Sequence, residues 1–196
     1  MSPSILVAGL AAALVLGGTT GARPRAAIAP DTTVTADSMT SAKKQALIES
    51  ALAAAPEHVA ADAAVVVPGA DGKMLELRSG TNGFTCIPDN PETPGKDQMC
   101  LDEQGLRWAQ SLMNHEEKPA STAPGIGYML QGGSDISATD PWAKSTTSYV
   151  ESPPHWMLLW PVDAKTSGFP TTPKKTGTWI MWAGTPYAHL MVNQVP

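Results

Sequence analysis

Two short units that each place a histidine two residues before a methionine have the clearest chemical potential in this sequence. They are His155-Trp156-Met157 and His189-Leu190-Met191. Side chains two residues apart share one face of a β-strand, so each unit would present an imidazole beside a thioether. Imidazole combined with soft thioether suits copper, above all Cu(I). If the two strands were neighbours, the metal ligands would be His155, Met157, His189 and Met191.

The alternative is that both units are ordinary core segments. Methionine commonly fills irregular gaps in protein cores, and the chain holds nine methionines. A histidine at a strand end is often simply hydrogen-bonded to the backbone. Core packing is the simpler interpretation of the two units, and a metal site is the alternative.

Tryptophan is unusually frequent, with six residues beside only two phenylalanines. Trp156, Trp160, Trp179 and Trp182 lie in apolar runs and are expected to fill the core. Trp142 follows Asp140-Pro141 in a polar stretch instead. Trp142 is therefore the tryptophan that a ligand, either a small molecule or a glycan, would contact if the protein binds one.

Catalytic motifs give no assignable active site. The patterns Ser41-x-x-Lys44, Ser134-Asp135 and Lys175-Thr176-Gly177 imitate those of penicillin-recognising serine enzymes. That fold needs a far larger chain, so we attribute the match to chance. The sequence favours a non-enzymatic binding or structural module. The enzymatic alternative is a small secreted hydrolase with His155 or His189 as general base.

The N-terminal segment predicts export. Residues 5–16 form an uninterrupted apolar run of 12 residues, the length of a signal-peptide core. A membrane-spanning helix needs about 20 apolar residues. We predict a signal peptide over residues 1–29, a flexible linker over 30–40 and one domain over 41–196, located in the periplasm or outside the cell. No stable membrane anchor is expected once the signal is removed.

The two cysteines, Cys86 and Cys100, are expected to form a disulfide, because exported proteins fold in oxidising compartments. The segment between them holds three prolines and little that could be buried. Their Cα atoms should lie about 4.4–6.8 Å apart.

The charge of the chain argues against nucleic acid as a partner. Lysine and arginine number 13 against 18 acidic residues, giving a net charge of −5. An acidic surface repels phosphate backbones.

Hydrophobic patterns predict the elements that position these residues. Residues 41–55 form one helix, and a second begins after Asp102, with Leu106, Ala109 and Met113 on its apolar stripe. Residues 63–67 and 74–78 form a hairpin, and 134–154 a polar loop. The apolar runs 155–160 and 178–182 should be central strands covered on both faces, followed by a last strand over 187–192. The fold class is α+β, a small antiparallel or mixed sheet with two packed helices and one disulfide.

Several segments resemble a group of uncharacterised exported bacterial proteins. The likeness covers roughly residues 75–196 and includes GTNGFTC with the following QMC, GYMLQGG and MWAGTPYAHLMV. The resemblance implies export and a single domain, and it implies no activity, ligand or catalytic residue.

Overall fold

The computed structural model describes residues 39–69, 73–145 and 148–193, all within one compact unit. The predicted signal peptide and residues 30–38 of the predicted linker lie outside the described residues. Met39 packs against the core, and the Thr40 hydroxyl accepts the backbone N–H of Lys43 at 3.3 Å. The last two residues of the predicted linker therefore belong to the folded domain, where Thr40 caps the first helix.

Four helices and ten strands make up the described chain. The helices are α1 Ser41–Leu52, α2 Glu57–Ala60, α3 Glu103–Met113 and α4 Ala164–Ser167. The strands are β1 Ala64–Pro68, β2 Met74–Arg78, β3 Thr85–Ile87, β4 Met99–Leu101, β5 Gly125–Met129, β6 Gly133–Asp135, β7 Val150–Ser152, β8 His155–Leu159, β9 Gly177–Met181 and β10 His189–Asn193. None of these helices is long and apolar enough to cross a membrane. The predicted α+β fold class is confirmed.

Eight strands form one mixed sheet in the order β2-β1-β3-β4-β5-β8-β10-β9. The β1–β3 pair is parallel, and the remaining pairs are antiparallel. The prediction of two central strands was wrong for β9, which lies at the sheet edge because β10 inserts between it and β8. The predicted polar loop 134–154 also contains strand residues, since β6 pairs with β7 in a separate hairpin.

The central part of the sheet is covered mainly on one face. Residues of β8 alternate between buried and half-buried positions, as do those of β5 and β10, so the prediction of cover on both faces was wrong for β8. It holds for the end of β9, where the consecutive residues Trp179, Ile180 and Met181 are all buried. Helix α3 packs on the buried face through Gly105, Trp108 and Ser111, whereas Met113, which we predicted on its apolar stripe, is 68% exposed. The close approach of α3 to β5 determines which residues of the helix are buried.

Helix α1 packs against the other half of the sheet and covers the disulfide. Cys86 and Cys100 are direct cross-strand partners in β3 and β4, fully buried and bonded, which confirms the predicted disulfide. Their Cα atoms lie 4.0 Å apart, closer than the predicted separation, because the two residues face each other directly in neighbouring strands.

Candidate functional site

The two His-x-Met units lie on the adjacent antiparallel strands β8 and β10. His155, Met157, His189 and Met191 are all buried at alternate positions, and we call this set the histidine–methionine face. The register pairs Met157 directly with Met191, and His155 with Asn193. His189 is therefore displaced from His155 by four residues along the strands, about 13 Å at the usual rise. Met157 and Met191 are thus cross-strand neighbours. His155 and His189 each lie two residues from this pair, in opposite directions along the strands.

The backbone holds His155 in one orientation. Its Nδ1 lies 2.8 Å from the carbonyl oxygen of Pro153, and a carbonyl can only accept, so Nδ1 carries the proton. Nε2 is then an unprotonated acceptor, buried and without a hydrogen-bond partner among the described residues. Burial lowers the pKa of His155, although the Pro153 carbonyl opposes this effect. The neutral imidazole thus directs a free lone pair into the protein interior.

His189 is enclosed by aromatic rings. Its Nδ1 lies 3.0 Å from the carbonyl oxygen of Tyr187, which again places the proton on Nδ1. Trp108 and Trp182 both pack against the imidazole edge to face, with ring centroids 5.1 Å from it. Burial lowers the pKa of His189 to about 4, although the hydrogen bond to the Tyr187 carbonyl opposes this effect.

Two further buried methionines flank the histidines. Met129 of β5 lies directly opposite His155, and Met181 of β9 lies directly opposite His189. A Cβ placed on Gly133 would lie 2.8 Å from Met129 Cε and 3.7 Å from His155 Cε1, the ring atom between the two nitrogens. The Met129 and His155 side chains therefore both lie close to Gly133. Sequence reasoning missed Met129 because no local pattern shows that β5 lies beside β8.

A group of acidic and hydroxyl side chains borders His155. The Asp97 carboxylate accepts hydrogen bonds from the backbone N–H and, at 3.0 Å, from the hydroxyl of Ser134. Asp97 Oδ1 also lies 3.4 Å from the same Cβ position on Gly133. Burial and, secondly, the charge of Asp97 raise the pKa of Asp135 to about 7, although Asp135 retains some exposed surface. The sequence had offered Ser134-Asp135 only as part of a chance motif.

The disulfide loop carries Asp97 to this place. Within the loop, the backbone N–H of Asp97 donates to Asp89 Oδ1 at 2.7 Å. The backbone N–H of Gly95 donates to the Ser134 hydroxyl at 3.1 Å, which ties the loop to the β6–β7 hairpin. The loop that lacked a visible role in the sequence therefore positions a carboxylate at Ser134 and Gly133, near the His155 end of the face.

Trp142 packs edge to face against Tyr187, at a ring-centroid distance of 5.4 Å, and so adjoins the aromatic cluster around His189. Its indole N–H donates to the carbonyl of Leu112 at 3.2 Å, and His115 stacks on its ring at a centroid distance of 5.7 Å. It borders an open groove of about 390 Å³. The groove is lined by Leu112, Met113, His115, Pro141, Trp142, Ala143 and Lys144. Because one ring face is already covered by His115, less of Trp142 is free than we expected, and its contact with a ligand stays a prediction.

The potential metal donors that share one buried face are imidazole and thioether groups. No three of their His, Cys, Asp and Glu residues come together as a metal site within residues 39–69, 73–145 and 148–193. Both cysteines are bonded to each other in the disulfide, so neither can supply a thiolate ligand. Imidazole and thioether donors remain, and they lie on one buried face. The Ser134 hydroxyl is hydrogen-bonded to a carboxylate rather than to an imidazole, which does not match an activated nucleophile.

No protein-family model, curated protein or solved structure matches this chain.

Proposed function

We propose that this protein is a non-enzymatic binding module of the exported type, and that its histidine–methionine face binds a soft metal ion, Cu(I). The observation that carries the proposal is the state of His155. Its Nδ1 is fixed by the Pro153 carbonyl while its buried Nε2 has no partner in the described part of the chain. Histidines that ligate metals usually donate their other N–H to a carbonyl or carboxylate in this way.

The neighbouring donors favour copper over zinc or calcium. Met157 and Met191 are direct cross-strand partners, and both are buried on the face that carries His155. Thioethers are soft ligands that select Cu(I), whereas calcium requires six to eight oxygen ligands and structural zinc sites commonly use thiolates. A buried face of neutral nitrogen and sulfur donors therefore supports Cu(I) binding.

Two features support export. The Cys86–Cys100 disulfide is typical of proteins that mature outside the reducing cytoplasm. The apolar run at residues 5–16 has the length of a signal-peptide core. A periplasmic or extracellular location also suits a protein that handles copper.

An anaerobic titration of the purified protein with Cu(I), in competition with a chromophoric Cu(I) chelator, tests the function. We expect one Cu(I) per chain, no comparable binding of Zn²⁺ or Ca²⁺, and loss of the site in His155→Gln. His58→Gln is the matched control, because His58 is exposed on α2 and should leave binding unchanged. A wild-type protein that leaves all Cu(I) with a weak chelator would contradict the proposal.

A further inference from the structure

We infer that the Cu(I) site is centred on His155 and uses the thioethers of Met129, Met157 and Met191, with His189 excluded. The inference rests on the proposed function, since it names the ligands of that same face. The sequence indicated a ligand set of two histidines and two methionines. The inferred set has one histidine and three methionines.

The strand register places three thioethers around one imidazole. Met129 is the direct cross-strand neighbour of His155 on β5, and Met157 follows His155 by two residues on the same face. Met191 is its diagonal neighbour on β10, since His155 pairs with Asn193. Direct and diagonal neighbours have Cβ atoms about 5 Å and about 7–8 Å apart, within reach of long side chains. One ion beside His155 Nε2 can therefore be reached from three directions.

The surroundings of Gly133 show that two of these side chains lie close to one point. Met129 Cε and His155 Cε1 lie 2.8 Å and 3.7 Å from the position that a Cβ would occupy on Gly133. Both side chains are buried, at 8% and 1% exposure. The absent Cβ leaves room at this point for the end of the Met129 side chain beside the imidazole edge of His155.

His189 is placed too far away to join this set. It lies four residues along the strands from the position that faces His155. Trp108 and Trp182, stacked on each other at 5.9 Å, pack against its ring. Its side chain therefore belongs to an aromatic cluster of the core, and the sequence repeat of His-x-Met does not produce a symmetric site.

Asp97 supplies the charge that such a site requires. An imidazole and three thioethers are neutral, so a bound Cu(I) would leave one positive charge in the interior, which is costly without a compensating charge. Asp97 Oδ1 lies 3.4 Å from the Gly133 Cβ position, near which Met129 Cε and His155 Cε1 also lie. One carboxylate neutralises a monovalent ion, whereas a divalent ion would keep a net charge.

Cu(I) affinities of single variants test the ligand set. Met129→Leu should weaken Cu(I) binding by at least about tenfold, by analogy with losses around other metal centres. Met181→Leu is the matched control, because Met181 is buried on the same face but lies opposite His189. Neither Met181→Leu nor His189→Gln should change the affinity. Methionine-to-leucine changes conserve volume, and thermal unfolding checks that each variant is folded.

X-ray absorption of the copper-loaded protein gives an independent measurement. We expect a single imidazole and several sulfur scatterers, and a copper–selenium signal in selenomethionine-labelled protein that weakens in Met129→Leu. Asp97→Asn should lower the affinity while leaving this ligand spectrum unchanged, as expected for a residue that compensates charge without ligating.

The outcomes separate the inference from the proposed function. Copper that is retained by Met129→Leu and lost by His189→Gln, with two imidazoles in the spectrum, would overturn this ligand set and leave copper binding itself intact. A wild-type protein that binds no Cu(I) would overturn both.

Discussion

Several buried polar atoms near the histidine–methionine face have no hydrogen-bond partner within the described part of the chain. They include His155 Nε2, Asn193 Oδ1, Trp179 Nε1 and Trp108 Nε1. Asn193 is the direct cross-strand partner of His155, whereas Trp179 on β9 pairs with Met191 in the middle of β10. An unpaired buried polar group costs about 1–3 kcal/mol, so natural proteins rarely leave several together without a water, an ion or a ligand. A bound water, ion or ligand at this face would satisfy these atoms.

Asp135 provides a test of the electrostatics at this place. Its pKa is about 7 in the folded protein against 3.8 in the unfolded chain, so the folded state retains a proton that the unfolded state loses. The stabilising contribution is fully present below about pH 4 and is lost as pH rises to about 7, with a slope of up to about 1.4 kcal/mol per pH unit. We predict that Asp135→Asn removes this loss, measured as the free energy of unfolding in urea between pH 4 and pH 8.

The comparison must be between variant and wild type. The lowered pKa values of His155 and His189 act in the opposite sense, since neutral buried histidines stabilise the fold above their unfolded pKa and lose that effect as pH falls. Asp62→Asn, at an exposed aspartate, serves as the control. Parallel curves for Asp135→Asn and the wild type would show that Asp135 does not titrate in this range.

At the level of elements, local patterns predicted more than long-range pairing. The Asp102 cap and the apolar spacing located α3, and continuous apolar runs located β8 and β9. The sequence could not show that β10 inserts between β8 and β9, or that β5 borders β8, because strand order depends on contacts between distant segments. For the same reason the His-x-Met units were recognised while Met129 and Asp97 were missed.

A glycine pair sets the distance between α3 and β5. A Cβ on Gly125 would lie 2.6 Å from Gly105 Cα, so the helix backbone touches the strand backbone at this point. We predict that Gly125→Ala lowers the free energy of unfolding by about 1–3 kcal/mol, as overpacking of a tight contact usually does. Ala123→Val, at an exposed position just before the strand, should leave stability nearly unchanged. Urea unfolding of both variants decides the matter, and an unaffected Gly125→Ala would show that α3 can move away freely.

On the scale of the whole molecule, two hydrophobic clusters lie on opposite faces of one sheet. Cys100 belongs to the cluster beside α1, while the next residue, Leu101, belongs to the cluster beside α3. The disulfide therefore stabilises the face opposite the histidine–methionine face, yet the loop that it closes crosses to that second face through Asp97 and Gly95. Stability and the candidate metal site are linked through this loop.

Removal of the disulfide tests this link. Cys86 and Cys100 are 14 residues apart, and closing a loop of about 15 residues stabilises a protein by about 3 kcal/mol, because it restricts the unfolded chain. We predict that the double variant Cys86→Ala/Cys100→Ala loses about this much in urea unfolding. Wild-type protein reduced chemically should lose a similar amount, and Glu92→Ala, an exposed change within the loop, should lose little.

Because Asp97 is held by the same loop, Cu(I) affinity should fall in the double variant under conditions where it remains folded. A double variant that is destabilised but binds Cu(I) as tightly as the wild type would show that the disulfide serves the fold alone, and that the position of Asp97 is maintained by Ser134 without it.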